Sequence, residues 1–395
     1  MKLNHGRMLT CMPGPSVIPD RVLNAMHASM PNIYKGPLVD MSVGIFNELP
    51  GIARTQGKAF MAISNGHGAW EMALTNTLSR GDHVLVLESG RFAMGWGNQA
   101  EMLGAKVEII NAPKRSAIVP DSVEARLRAD SEHDIKVILC VQVDTASGVW
   151  NDIAAIRKAI DAAAHPALFM VDCIASLGCV PFEMDKWGVD VTVGGSQKGL
   201  MVPPGLGLVW ANGKAMAAHE KADMRTPYWD WTARLSDEQH YMRYCGTAPV
   251  QHIYAMRTAL DMIAEEGLEA IWARHKVFAD AVRAAVDAWS APDGLEFNIV
   301  APEHRSDSTT TILTGSVDGE RLCEICERDA GLVLGKGLGD FERISFRIGH
   351  MGHLNPPMVL GTLATVEAAL EALDGPLGGS GVAAAAKVIG EALAA

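Results

Sequence analysis

Short apolar runs alternate with longer stretches of helical spacing along the first two thirds of the chain. HVLVLES (83–89), KVEIINA (106–112), KVILCVQVD (136–144), ALFMVDCIAS (167–176), VDVTVGGS (189–196) and GLGLVWAN (205–212) read as strands. Several are apolar on both faces, as strands covered by helices on either side must be. Between them lie patterns such as IAAIRKAIDAAA (153–164), with apolar residues at helical spacing. Strand–helix alternation of this kind predicts a largely parallel sheet flanked by helices, an α/β fold. Beyond residue 255 the texture changes. A long helical stretch from Ile253 to Trp289 is interrupted at GLEA, and shorter strands follow around FNIV, TTTILTG and RISFRIG. This predicts a smaller C-terminal α+β domain entered through a connecting helix. The expected division is an N-terminal arm (1–20), a large domain (21–255) and a small domain (256–395). The tail GGSGVAAAAKVIGEALAA reads as a glycine linker and an alanine-rich helix.

A length of 395 residues agrees with two unequal domains. With 48% hydrophobic and 20% charged residues, the composition is that of an ordinary globular protein. The formal net charge of −12 and the lack of a basic stripe argue against nucleic acid and anionic membranes as partners. No run reaches the length of a membrane span, and MKLNHGRMLTCMPGPSVIP carries no apolar signal-peptide core. Seven cysteines in a chain of this length do not form a disulfide framework, so a reducing, cytoplasmic setting is expected. Cys323 and Cys326 make one CxxC without further ligands at metal spacing, and two helix cysteines are the plain reading. No metal site is expected. GKGLGD (335–340) has clustered glycines without the GxGxxG spacing of a dinucleotide fingerprint, and it lies in the expected small domain, far from the first βα unit.

Three segments carry candidate chemistry. In VDVTVGGSQKGLMVPPGLGLVW (189–210) a strand ends in small residues and Gln197 and Lys198 sit at the turn. Ligands of parallel sheets gather at the carboxyl ends of strands, and a desolvated lysine there is a nucleophile for carbonyls. A solvated loop lysine is the alternative. Asp172 closes the apolar run ALFMVD, where a carboxylate needs a partner. The protonated ring nitrogen of a pyridine cofactor is one, and a helix cap or structural ion pair is another. In AISNGHGAWEMALTNTL (62–78), Asn65, Gly66, His67 and Gly68 precede a helix. Its N-terminus is either an anion site or merely capped.

Taken in order, MPGPSVIP, SNGHGAWE, ESGRFAMGW, VDTASGV, MVDCIASLG, VDVTVGGSQKGLMVPPGLG, YWDW, GLEAIWARH, FRIGHMG and GGSGVAAA resemble class V aminotransferases of fold type I, above all the serine–glyoxylate, alanine–glyoxylate and aspartate–glyoxylate group. The resemblance implies a large domain with a mainly parallel seven-stranded sheet, and pyridoxal 5′-phosphate as cofactor. Lys198 would be its Schiff-base lysine and proton carrier, and Asp172 the partner of the pyridinium. Phe92 would stack on the ring. Thr145, with Ser147 as rival, would stand near the phenolic oxygen. Asn65, Gly66, His67 and Gln197 would hold the phosphate. Tyr244 and Thr247, in YCGT, would reach the phosphate of a neighbouring subunit, which implies a homodimer with shared sites, with higher assembly open. Arg347 would clamp the substrate α-carboxylate, with Gly14 and Tyr34 also at the substrate. The implied reaction moves an amino group from a small L-amino acid, serine or an aspartate-type donor, to glyoxylate by a ping-pong route. Pyridoxamine–pyruvate or alanine–glyoxylate transfer is the alternative, and a cysteine desulfurase a remoter one. PNIYKGPLVDM (31–41) departs from the polar His/Arg stretch of related enzymes. Lys35 there could receive a donor's side-chain carboxylate, against the plainer reading of a surface lysine. Trp229, Trp231 and the methionines read as packing, and His350 and His353 as walls of the site.

Overall fold

The structure is a computed structural model and describes residues 2–236 and 239–394. Seven strands form the central sheet in the order Lys58–Ser64, Gly205–Ala211, Val191–Gly195, Leu168–Asp172, Ile135–Val141, His83–Glu88, Lys106–Asn111. Gly205–Ala211 runs antiparallel to both neighbours, and the strands from Val191–Gly195 to Lys106–Asn111 are parallel. The apolar runs behave as their composition dictates. Residues Val137 to Val141 are buried on both sides of the sheet, because helices cover each face. On one face pack Gly66–Thr75 and Arg91–Met102, through Trp70 and Trp96. On the other pack Pro37–Ile52, Ile153–Ala162 and Val250–Glu266. Each fully buried large aliphatic side chain in these layers contributes roughly 1.5–3 kcal/mol of transfer free energy.

The smaller sheet has the order Leu9–Cys11, Leu332–Lys336, Ser345–Gly349, Thr309–Leu313, Glu296–Phe297. Helices Leu268–Trp289, Gly319–Ala330, Pro356–Glu371 and Gly381–Ala394 build its core. The structure adds detail to two expectations about the domains. Within the expected arm 1–20, Leu9–Cys11 pairs parallel with Leu332–Leu334 in the small sheet. The boundary expected after residue 255 falls inside Val250–Glu266, whose Ala255, Met256, Ala259, Leu260 and Ile263 pack in the large-domain core. The break lies at Gly267, whose φ of 86° is a left-handed conformation that glycine adopts without a Cβ clash. Cys323 and Cys326 lie on the buried side of Gly319–Ala330, as two helix cysteines do. Among the described residues no helix is long and apolar enough to cross a membrane, and no cluster of His, Cys, Asp and Glu is arranged to hold a metal.

Candidate active site

The carboxyl ends of the parallel strands open onto a cavity of about 320 Å³. Its walls include Gly14, Asn65, Gly66, His67, Phe92, Thr145, Asp172, Gln197 and Lys198, nine residues singled out from sequence. A larger groove of about 680 Å³ lies between the N-terminal strand and His353. Its charged residues Arg7 and Asp20 pair with each other at 2.7 Å, and it holds no lysine, so the smaller cavity is the site.

Lys198 follows Val191–Gly195 in a turn that the N-terminal segment clamps. The Ser16 hydroxyl donates to the Lys198 carbonyl at 2.7 Å, and the Ser16 amide to the Gln197 carbonyl at 2.9 Å. Its ammonium donates to the Pro13 carbonyl. Gly14, at φ 100°, lies so close that a Cβ there would stand 2.5 Å from Lys198 Nζ. Burial first, then the Arg347 charge, pulls the Lys198 amine down to about 8. A lysine near 8 is partly neutral at physiological pH and is a competent nucleophile and base.

Asp172 ends Leu168–Asp172 and is 3% exposed. Burial pushes its carboxyl up to about 7, against two donors: the Ile174 amide and the Trp70 indole N–H, each at 2.7 Å. Neither donor carries a formal charge, so the cavity presents a buried carboxylate without a cationic hydrogen-bond partner. Trp70 lines the cavity and bonds Asp172, a contact that sequence reasoning missed. The signal was present, because a buried indole N–H seeks a polar partner and Trp70 lies four positions beyond Gly66 on the cavity-lining helix.

At the helix start, Asn65 serves as cap: its side-chain oxygen accepts from the His67 and Gly68 amides at 3.1 and 3.3 Å. The capping reading holds, and Gly66 and His67 also line the cavity. A Cβ at Gly66 would stand 2.4 Å from Ile174 Cδ1, so any larger residue there requires the Ile174 side chain to shift. Gln197 lines the same end, and its Oε1 is buried without a hydrogen-bond partner.

Thr145 and its rival Ser147 are separated by the structure. Thr145 lines the cavity. The Ser147 hydroxyl is engaged elsewhere, donating to the Ser89 carbonyl at 3.1 Å. Arg347, on Ser345–Gly349 of the small sheet, lies behind Thr145: its Nη1 donates to the Thr145 carbonyl at 2.8 Å and its Nε to the Lys336 carbonyl at 2.9 Å. Burial lowers its guanidinium to about 10, still charged at neutral pH.

Four expected site residues are not among the walls of this cavity within the subunit: Arg347, which reaches it only through Thr145, and Tyr34, Tyr244 and Thr247. Tyr34 is 70% exposed and packs edge-on against Tyr241 at 5.8 Å, and Lys35 beside it is exposed. Tyr244 is buried in its own subunit, its ring against Phe46 and its hydroxyl bonded to Ser42. Its aromatic body gains more from that apolar layer than from the surface. Only Thr247 of that pair stands exposed. The histidines near Arg347 are not walls of this cavity either. His350 bonds Thr310 Oγ1 and the Asp307 carbonyl, each at 2.9 Å, and burial pushes it down to about 3; His353 faces the larger groove. The thiols of Cys323 and Cys326 are buried and pushed up to about 12, unlike a nucleophilic loop cysteine.

Residues 60–339 match the family described as aminotransferase class-V. The chain is 39% identical to a serine–glyoxylate aminotransferase of Methylorubrum extorquens, covering 98% of this chain and 97% of that one. It is also 39% identical to an L-aspartate–glyoxylate aminotransferase of Paracoccus denitrificans, covering 95% and 94%. The crystal structure of a pyridoxamine–pyruvate aminotransferase from Mesorhizobium loti superposes with a TM-score of 0.89 at 26% identity, covering 99% of this chain and all of that one (100%). A buried lysine and a buried aspartate at the strand ends of this fold, with an arginine behind them, are thus found in a chain that belongs to the class-V aminotransferases, the transaminases of fold type I.

Proposed function

We propose that this chain holds pyridoxal 5′-phosphate through Lys198 and transfers an amino group from a small L-amino acid, serine or an aspartate-type donor, to glyoxylate. The observation that carries the reading is the convergence of Lys198 and Asp172 on one buried cavity, with Arg347 bonded to its wall through Thr145. The two relatives at 39% identity, one using serine and one aspartate with glyoxylate by name, support the substrate class.

The residues present fit the cofactor. Gln197 brings a side-chain NH2 donor group to the cavity that the helix start at Gly66 also lines, and Asp172 is a buried carboxylate that a cation would satisfy. Asn65, Gly66, His67 and Gln197 would hold the phosphate, aided by the helix dipole. Phe92 would cover the ring, Thr145 would meet its phenolic oxygen, and Asp172 would pair with its protonated nitrogen. When bound, the cofactor supplies an aldehyde that condenses with amines and a ring that accepts the electron pair left at the substrate Cα.

The chain's own groups supply the rest. Asp172 stays ionised opposite a cation. The Lys198 amine takes the proton from the substrate Cα and returns it on the other side of the transfer. Arg347 fixes the substrate carboxylate with the unused part of its fork, as Nη2 makes no hydrogen bond among those to Thr145 and Lys336. Gly14 leaves room beside Lys198 for the incoming amine. In a homodimer, Thr247 is the member of its pair placed on the surface to reach a neighbouring site, while Tyr34 and Lys35 would stand at the mouth of one.

A half-reaction screen tests this. The cofactor's visible absorbance is followed on mixing with serine, aspartate, alanine, glutamate and pyridoxamine, and again after adding glyoxylate or pyruvate. Bleaching by serine or aspartate with recovery on glyoxylate is expected. Bleaching by pyridoxamine with recovery on pyruvate alone would replace the reading, and no response to any donor would end it.

A further inference from the structure

Asp144 lies just beyond Ile135–Val141 and is fully buried (0% exposed). One carboxylate oxygen accepts from the Phe92 amide at 2.8 Å. The other accepts from the Ala146 and Ser147 amides at 2.8 and 3.1 Å. Gly90 abuts it so closely that a Cβ there would come within 2.5 Å of both oxygens. The turn it grips is also where the small domain docks. Arg347 donates to the Thr145 carbonyl at 2.8 Å, the Thr311 hydroxyl to the Ala146 carbonyl at 3.1 Å, and the Asn298 amide to the Ser147 carbonyl at 2.7 Å.

We propose that Asp144 is a positioning residue: its carboxylate ties the Phe92 helix start to the Thr145–Ser147 turn and so holds the aromatic wall, the Thr145 hydroxyl and the Arg347 clamp in one geometry. The meaning of the Phe92 ring rests on the proposed cofactor site; the anchoring itself does not. Phe92 stands in the first turn of Arg91–Met102, where amides have no partner within the helix. The Asp144 carboxylate is therefore what fixes that turn and the ring it carries. The same carboxylate is the strongest attractive charge on Arg347. It balances the guanidinium from the protein side and leaves the other side to a substrate carboxylate. A charge this deeply buried is stable only because its donors surround it.

The experiment compares the holoenzyme with Asp144→Asn and Asp144→Ala. In Asp144→Asn the amide oxygen keeps the turn, but the NH2 meets the Phe92 N–H donor to donor. Expected are faster amide exchange at Phe92, altered visible circular dichroism of the bound cofactor and a fall in kcat of about tenfold, the scale of one charged hydrogen bond. The donor KM should not rise, because Arg347 loses an opposing charge. Asp144→Ala also releases the turn beneath Arg347, and there the donor KM should rise as well. Wild-type exchange, dichroism and kcat in Asp144→Asn would overturn the proposal, as would variants that lose thermal stability with unchanged kinetics. If neither variant folds, the wild-type protein still decides: its Phe92 amide must be protected despite its place in a first helical turn, and rapid exchange there overturns the proposal. A wild-type protein without cofactor absorbance would instead count against the proposed function, and Phe92 protection would still report on Asp144.

Discussion

Trp70→Phe removes one of the two hydrogen bonds on the Asp172 carboxylate while leaving an aromatic ring in the layer. The lost contact is the indole N–H at 2.7 Å from Oδ2, with the Ile174 amide at 2.7 Å on the other oxygen. A hydrogen bond to a charged group is worth roughly 1.5–3 kcal/mol, and one pKa unit about 1.4 kcal/mol. The Asp172 carboxyl, already raised to about 7 by burial, should move up by about one to two further units. The indole also fills volume beside Trp96, whose ring stacks 6.0 Å away, so a smaller ring could admit water and pull the pKa down. Replacing Trp70 by benzothienylalanine keeps the bicyclic shape and removes only the donor. The carboxyl stretch of the apoprotein is followed by infrared difference spectroscopy against pH, with Asp172→Asn assigning the band. Both replacements should shift the midpoint upward, the benzothienyl one without added solvent exchange. An unmoved midpoint in the benzothienyl protein would refute the role of Trp70.

Arg347→Lys keeps a charge and loses the fork that bonds Thr145 and Lys336. The loss of about one charged hydrogen bond predicts a 10- to 100-fold fall in kcat/KM for serine, with little change for ethanolamine, which has no carboxylate; steady-state and single-turnover kinetics on the pair check it. The apoprotein should lose stability as pH rises from about 4 to about 7. Asp172 has a folded value of about 7 against 3.8 for the free group. The folded state then holds the extra proton, and up to roughly 4 kcal/mol present at acid pH is lost by about pH 7. Urea denaturation of wild type and Asp172→Asn across this window should show a difference that grows with pH, whatever constant offset the asparagine adds.

The parallel strands were legible because burial on both faces leaves only apolar side chains, and such runs as KVILCV stand out from amphipathic helices. Lys198 and Asp172 were legible because each is a charged residue placed where an apolar strand ends. What escaped detection depends on contacts distant in sequence. Leu9–Cys11 is a three-residue strand whose partner is Leu332–Leu334, and nothing within LTC announces a pairing more than three hundred residues away. Trp70 and Asp144 each look ordinary in their own segment. Their roles appear only when Gly66–Thr75 is laid against Leu168–Asp172, and Gly90 against Val143–Asp144. Tyr244 was misleading in the opposite way. Its motif suggests a surface role, yet the ring lies in a local apolar layer with Phe46, and only the register of a short 3₁₀ turn decides which way it faces.

The two routes by which the small domain reaches the cavity explain why its sheet must accept the N-terminal strand. One route is Arg347, which crosses from Ser345–Gly349 to the Thr145 carbonyl. The other is the chain leaving Leu9–Cys11, which runs through Pro13 and Gly14 over the Lys198 ammonium and is pinned by Ser16 to the backbone of Gln197 and Lys198. Both begin on adjacent stretches of one sheet: a Cβ at Gly335 would strike Pro13 Cδ at 2.6 Å and Arg347 Cβ at 3.1 Å. Arg347 and the cover on the lysine therefore rest on one sheet. A small domain tied to the large one only through the Thr145–Ser147 turn, by Arg347, Thr311 and Asn298, would leave Lys198 without its cover. With the N-terminal strand in the same sheet, both Arg347 and the segment covering Lys198 are anchored to that sheet.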